Sequence, residues 1–212
     1  MIHFDTDYME GAHHEVMRRL VETNLEQTPG YGCDDYTARA KDLIREACGQ
    51  PQAAVQFLVG GTQTNATVID ALLARHEGVL GAESAHINVH ESGAIEATGH
   101  KVLTLPQYDG KVKAADVEAY IRNFYRDETY EHMVAPGMLY ISHPTELGTL
   151  YTLHELEDLS RVCREANIPL YMGGARLGYG LAAEGTHGTL KDIARRCDAF
   201  YIGGTKDGAR FG

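Results

Sequence analysis

Short apolar runs alternating with amphipathic stretches constrain this chain most. Ala54–Val59, Gly78–Ala82, Lys101–Leu105, Gly137–Ser142, Pro169–Met172 and Ala199–Ile202 read as strands. Between them, Thr62–His76, Ala114–Arg126 and Thr152–Asn167 place apolar residues three and four apart, the spacing of one helix face. Val117, Tyr120, Ile121 and Phe124 form one such stripe, and Leu153, Leu156, Leu159, Val162 and Cys163 another. Strands joined through helices of this length cannot be hairpins, so the pattern predicts an α/β fold with a mostly parallel sheet flanked by helices. Ahead of it lie an arm with an amphipathic stretch at His13–Leu25 and a helix from the Asp34-Asp35 cap to Gly49. That helix carries the stripe Ala40, Leu43, Ile44 and Ala47. The reading divides the chain into an N-terminal arm with helices (1–49) and a large sheet domain (50–212), with Asp127–Ala135 as a surface loop.

Charge removes two classes of partner. Nineteen basic residues face 30 acidic ones, a net charge of −11 with histidine neutral, which suits neither nucleic acid nor an anionic membrane. No apolar run approaches the ~20 residues a bilayer-spanning helix needs. Met1–Asp7 has no basic region followed by an apolar one, so the expected setting is the cytoplasm. Cys33, Cys48, Cys163 and Cys197 are widely spaced, which points to reduced, mostly buried thiols rather than a disulfide framework or a zinc knuckle. The sequon Asn65-Ala66-Thr67 lies inside a helical pattern and is discounted.

In parallel sheets ligands collect at the carboxyl ends of the strands. The residues placed there are Gly60-Gly61-Thr62, Ser84-Ala85-His86, Ser142-His143-Pro144-Thr145, Gly173-Gly174-Ala175-Arg176 and Gly203-Gly204-Thr205-Lys206. Gly60-Gly61-Thr62 opens a helix, where free N–H groups, the helix dipole and a hydroxyl can cradle a phosphate; the glycines could equally serve a tight turn. No Walker lysine and no third dinucleotide-binding glycine follow. A partly desolvated Lys206 can form a Schiff base, and a lysine paired with a phosphate cradle suggests pyridoxal 5'-phosphate. Arg176 could clamp a carboxylate in bidentate fashion or form a structural ion pair. His86, His90 and Glu91 have the spacing of a metal-binding helix turn, yet no further ligand is evident, so the expectation is no metal.

With these residues in view, the sequence resembles the threonine aldolase and aromatic amino acid β-eliminating lyase family of fold-type I pyridoxal phosphate enzymes. The resemblance runs in order through Gly60-Gly61-Thr62 with Asn65, His86-Ile87-Asn88-Val89-His90-Glu91-Ser92-Gly93-Ala94, Ile141-Ser142-His143-Pro144-Thr145-Glu146, Gly174-Ala175-Arg176-Leu177 and Gly203-Gly204-Thr205-Lys206. It implies the large domain of a fold-type I enzyme, a homodimer or homotetramer, and cleavage of a threonine-like β-hydroxy amino acid to glycine and an aldehyde. Lys206 would carry the Schiff base and His86 would stack on the pyridine ring. Gly60, Gly61, Thr62 and Thr205 would help hold the cofactor, and Arg176 would bind the substrate carboxylate. His86 and His143 are both candidates for the base.

Two departures shape further expectations. The family places an aspartate immediately before Gly-Ala-Arg, facing the ring nitrogen, and here that position is Gly173. The chain also stops just after the lysine loop, so the large domain is expected to be incomplete and the small C-terminal domain absent. Asp207 and Arg210 put charge where the family carries small or apolar residues. β-Elimination by an amino acid lyase, or a catalytically impaired homologue serving as a binding or oligomerisation module, are the alternatives.

Overall fold

The computed structural model describes residues 3, 5–186 and 188–209. Arg210 and the terminal Phe211-Gly212 lie outside the described residues. The element order is α1 (His14–Thr23), α2 (Asp35–Cys48), α3 (Gly61–Leu72), β1 (Glu77–Ala82), α4 (His86–Val89), β2 (Val102–Leu105), α5 (Ala114–Arg126) and β3 (Ala135–Ser142). There follow α6 (Leu153–Glu165), β4 (Leu170–Gly173), α7 (Leu177–Ala182), α8 (Leu190–Arg196) and β5 (Ala199–Phe200).

All five strands are parallel, in the order β2-β1-β3-β4-β5. The core is the apolar content of those strands and of the helix faces laid on them. Val79, Leu80, Met138, Leu139, Leu170, Tyr171 and Met172 have no measurable exposure. From α3, α5 and α6, Ile69, Val117, Leu156 and Leu159 complete it, as the helical stripes demand. The order reverses between β1 and β3, since β2 lies on one side of that pair and β4 and β5 on the other. The carboxyl end of a sheet opens a crevice at such a reversal, and the loops carrying His86 and Ser142 leave from its two sides.

The caps explain the sharper boundaries. Asp34 accepts a hydrogen bond from the Thr37 N–H, and Gly49 ends α2 in the left-handed region at φ 63°. Thr152 and Glu155 form a reciprocal capping box at the start of α6. A second box, Thr189 with Asp192, starts α8, a helix too short for its apolar period to be read.

Two expectations are corrected. Ala54–Val59 is not a strand: none of the five strands pairs with it, and Phe57 and Val59 are 54% and 82% exposed. An apolar run becomes a strand only where a neighbouring backbone is free to pair, and β2 and β5 hold the sheet edges without it. The stripe on α2 is also not a core face. Cys48 is its one buried residue among those described, and Leu43 is 53% exposed.

Candidate active site

The N-terminus of α3 begins at Gly60, whose extended backbone carries no side-chain cap. The first turn's N–H groups therefore point into an open concavity lined by Val59, Gly60, Gly61, Thr62 and Gln63. Gly61 has a packing reason beyond its N–H: an added Cβ would lie 3.0 Å from the Tyr201 hydroxyl. Tyr201 follows β5, so α3 and the strand leading to Lys206 meet here.

The turns after β4 and β5 cross at close quarters. Gly203 N–H donates to the Gly174 carbonyl at 2.8 Å, and a Cβ on Gly203 would stand 2.6 Å from the Ala175 oxygen. Two glycine-rich turns are needed for backbones to approach this closely. The result places Arg176 and Lys206 side by side, and the residue between them is Asp7 of the N-terminal arm. Its carboxylate accepts from Arg176 Nε and, at 3.2 Å, from an Arg176 terminal nitrogen. Lys206 Nζ lies 3.2 Å from the same carboxylate and 5.5 Å from the centre of the Tyr8 ring. Burial alone would raise the Asp7 carboxyl, but the hydrogen bonds and charges of Arg176 and Lys206 outweigh it and hold it below the usual range. Burial pushes the Asp207 carboxyl upward, with the negative charge of Asp7 adding to it, while the Gly178 N–H partly offsets both. Thr205 precedes Lys206 in the same loop and is exposed.

After β1, His86 opens α4. Its backbone N–H donates to Glu146 Oε1 at 2.8 Å, and Ser142 Oγ donates to the same oxygen at 2.5 Å. The loops after β1 and β3 are thereby tied together over the sheet reversal. The His86 side chain is 37% exposed, and its Nδ1 lies 2.8 Å from Oε1 of the enclosed Glu91. The His90 ring stands beside it, with centroids 5.6 Å apart. Among the described residues no three His, Cys, Asp or Glu converge as metal ligands.

His143 is placed differently. It is 4% exposed and faces a small cavity lined by Leu150, Tyr151, Leu153, Leu156, Leu181, Thr186, Gly188 and Ile193. Its Nδ1 accepts from the Tyr151 N–H at 3.4 Å. Burial, and secondarily the positive charge of Lys111, press its pKa below the usual histidine value. At Gly173 the Tyr140 ring stands where a side chain would begin, with its hydroxyl carbon 2.7 Å from the site of an added Cβ.

The comparisons with known proteins bear on this geometry. The sequence profile of the family described as Beta-eliminating lyase matches residues 3–210. The chain belongs to the beta-eliminating lyase family. Within and around this family, it is 30% identical over 211 residues to the low specificity L-threonine aldolase of Pseudomonas aeruginosa, covering 99% of this chain and 60% of that one. The chain thus spans about 60% of the length of that relative. The Leishmania major threonine aldolase structure superposes with a TM-score of 0.93 at 45% identity, over 98% of this chain and 59% of that one. An aromatic aminotransferase from Pyrococcus horikoshii shares the fold, with a TM-score of 0.66 at 15% identity over 87% of this chain and 48% of its own.

In this member of the family, sequence reasoning had no signal for Asp7, which lies 169 residues from Arg176. Glu146 stood inside a recognised motif without a role. Tyr140 and Tyr201 read as ordinary strand residues, and only the crossing of the strand ends brings them to the site.

Proposed function

We propose that the chain is the cofactor-carrying part of a pyridoxal phosphate-dependent lyase of threonine-aldolase type, cleaving a threonine-like β-hydroxy amino acid to glycine and an aldehyde. The observation that carries this reading is the Asp7 carboxylate held between Arg176 and Lys206. It marks a carboxylate position next to the amine that would hold the cofactor. The residues suit the group in a second way, because the uncapped first turn of α3 at Gly60, Gly61 and Thr62 is open and packed against the strand leading to Lys206. The likeness to proteins named threonine aldolase supports the choice of reaction.

In this reading the N–H groups of Gly61 and Thr62, with Thr205 in the lysine loop, would hold the phosphate, and the Lys206 amine would anchor the group. Pyridoxal phosphate, when bound, supplies the electron sink that takes up the electrons left when the substrate Cα–Cβ bond breaks. Arg176 holds the substrate carboxylate once Asp7 gives way. His86 takes the β-hydroxyl proton, because its ring reaches solvent in the crevice while His143 is enclosed by apolar residues. Position 173 is glycine, so it would bring no carboxylate of its own to the bound group. Residues 1–49 serve as an arm that reaches the site through Asp7, and 50–212 as the body that carries it.

Two finer readings belong with this one. The chain works as a homodimer or homotetramer, for which the exposed Met17, Leu20 and Val21 of α1 speak. A cytoplasmic setting suits four free cysteines, two of them buried.

Adding pyridoxal phosphate and reducing with borohydride tests the core of the reading. The expected result is a stable adduct on Lys206, located by peptide mass. No adduct, or one confined to other lysines, would overturn it.

A further inference from the structure

A carboxylate taken wholly out of water costs several kcal/mol unless donors meet it. Glu91 is such a group: its side chain has no exposure, and both of its donors reach one oxygen. Asn65 Nδ2 donates to Oε1 at 2.6 Å, and His86 Nδ1 lies 2.8 Å from the same atom. Oε2 is buried with no hydrogen-bond partner among the described residues. Asn65, itself without exposure, is fixed at its other end by the Tyr171 O–H, which donates to Oδ1 at 2.8 Å. A polar chain therefore runs from β4 through α3 to α4 and ends on the imidazole at the crevice.

With Glu91 as the acceptor, the donors and acceptors of that chain have one consistent assignment. An ionised carboxylate only accepts, so Asn65 must turn its amide nitrogen toward Glu91 and its oxygen toward Tyr171. For the same reason His86 must carry its proton on Nδ1, which leaves Nε2 as the free nitrogen when the ring is neutral. A lone structural role explains this poorly, because an apolar side chain would fill the space without a stranded oxygen.

We propose that Glu91 is the positioning residue for His86, with Asn65 holding Glu91 in place. This rests on the lyase reading above. Glu91 fixes the ring plane and tautomer so that Nε2 faces the crevice. When Nε2 takes the substrate's hydroxyl proton, Glu91 balances the positive charge left on the ring.

Nitrogen-15 spectra of histidine-labelled protein test the geometry in the unaltered chain. The expected signal for His86 is the tautomer protonated at Nδ1; protonation at Nε2 alone would overturn the proposal. In Glu91→Gln, that preference is expected to weaken, borohydride trapping on Lys206 to stay within about twofold, and threonine KM to change little. Aldehyde release from threonine should fall roughly 10- to 100-fold in kcat, the usual effect of losing a histidine's orienting partner. Asn65→Ala, which leaves Glu91 in place with one donor fewer, should show a smaller fall of the same kind. Unchanged kcat in Glu91→Gln with intact trapping would overturn the role of Glu91 and leave the lyase reading standing. Absence of the Lys206 adduct in the unaltered protein would instead remove the lyase reading, and the role of Glu91 with it.

Discussion

At the scale of single residues, Gly173 is held by what surrounds it. The Tyr140 ring fills the space of a side chain, and Tyr140 is 1% exposed with its hydroxyl 3.1 Å from Ser142 Oγ. Even one methyl group must push that ring against Tyr171, whose centroid is 5.5 Å away. Gly173→Ala is therefore expected to cost roughly 1–3 kcal/mol, the usual penalty of overpacking, read as a lower urea midpoint at unchanged slope. An aspartate at this position meets the same obstacle. The second residue-scale expectation concerns His143. Its folded pKa is depressed by burial, so between that value and the ordinary value near ~6.5 the unfolded chain binds a proton that the folded chain does not. Its contribution to stability is present above the ordinary value and is lost as pH falls below it. Stability curves of the unaltered protein and of His143→Gln should therefore converge toward lower pH, below about 6.5. Curves that run parallel would remove His143 from that slope.

At the scale of elements, α6 and the N-terminal arm show two ways of holding a segment. α6 begins with a capping box, and Glu155 in it also takes Lys111 Nζ at 2.6 Å, which ties the cap to the segment after β2. Thr152→Ala removes one cap acceptor and should cost about 1 kcal/mol, lowering Tm by roughly 2–4 °C for a chain of this size. The segment of the arm before α1 begins with no such capping box among the described residues. Among its described residues before α1, it is tied to the body by Asp7 on Arg176 and Lys206 and by the His13 N–H on the Gly208 carbonyl at 2.8 Å. Asp7 and both of its partners are partly exposed, so solvent screening limits the ion pairs to about 1 kcal/mol. Asp7→Asn should therefore speed proteolytic cleavage of the arm roughly fivefold under conditions where opening is faster than cutting. An unchanged cleavage rate would mean that other contacts hold it.

At the scale of the whole molecule, the sheet and the outer apolar surface had different legibility. Light scattering is expected to give a dimer or tetramer mass, and Val21→Glu on α1 to shift it toward the monomer; a monomer in the unaltered protein would overturn that reading. Five of the strands, the helices α5 and α6, and the parallel order were readable because buried parallel strands and one-sided helices impose periods that survive in sequence. Ala54–Val59 and the α2 stripe misled for one shared reason: apolar character asks for a partner but does not say whether one is present. The site divides along the same line. The sequence by itself determined the chemical types at the strand ends, namely an uncapped glycine turn, a histidine, an arginine and a lysine, because each sits beside its own strand or helix. Only the tertiary structure decided that Asp7 bridges Arg176 and Lys206, that His143 turns into an apolar cavity, and that Glu91 stands behind His86. Such contacts join elements far apart in the chain, and hydrogen-bond geometry between them is set by how helices pack on the sheet, which leaves no local periodicity to read.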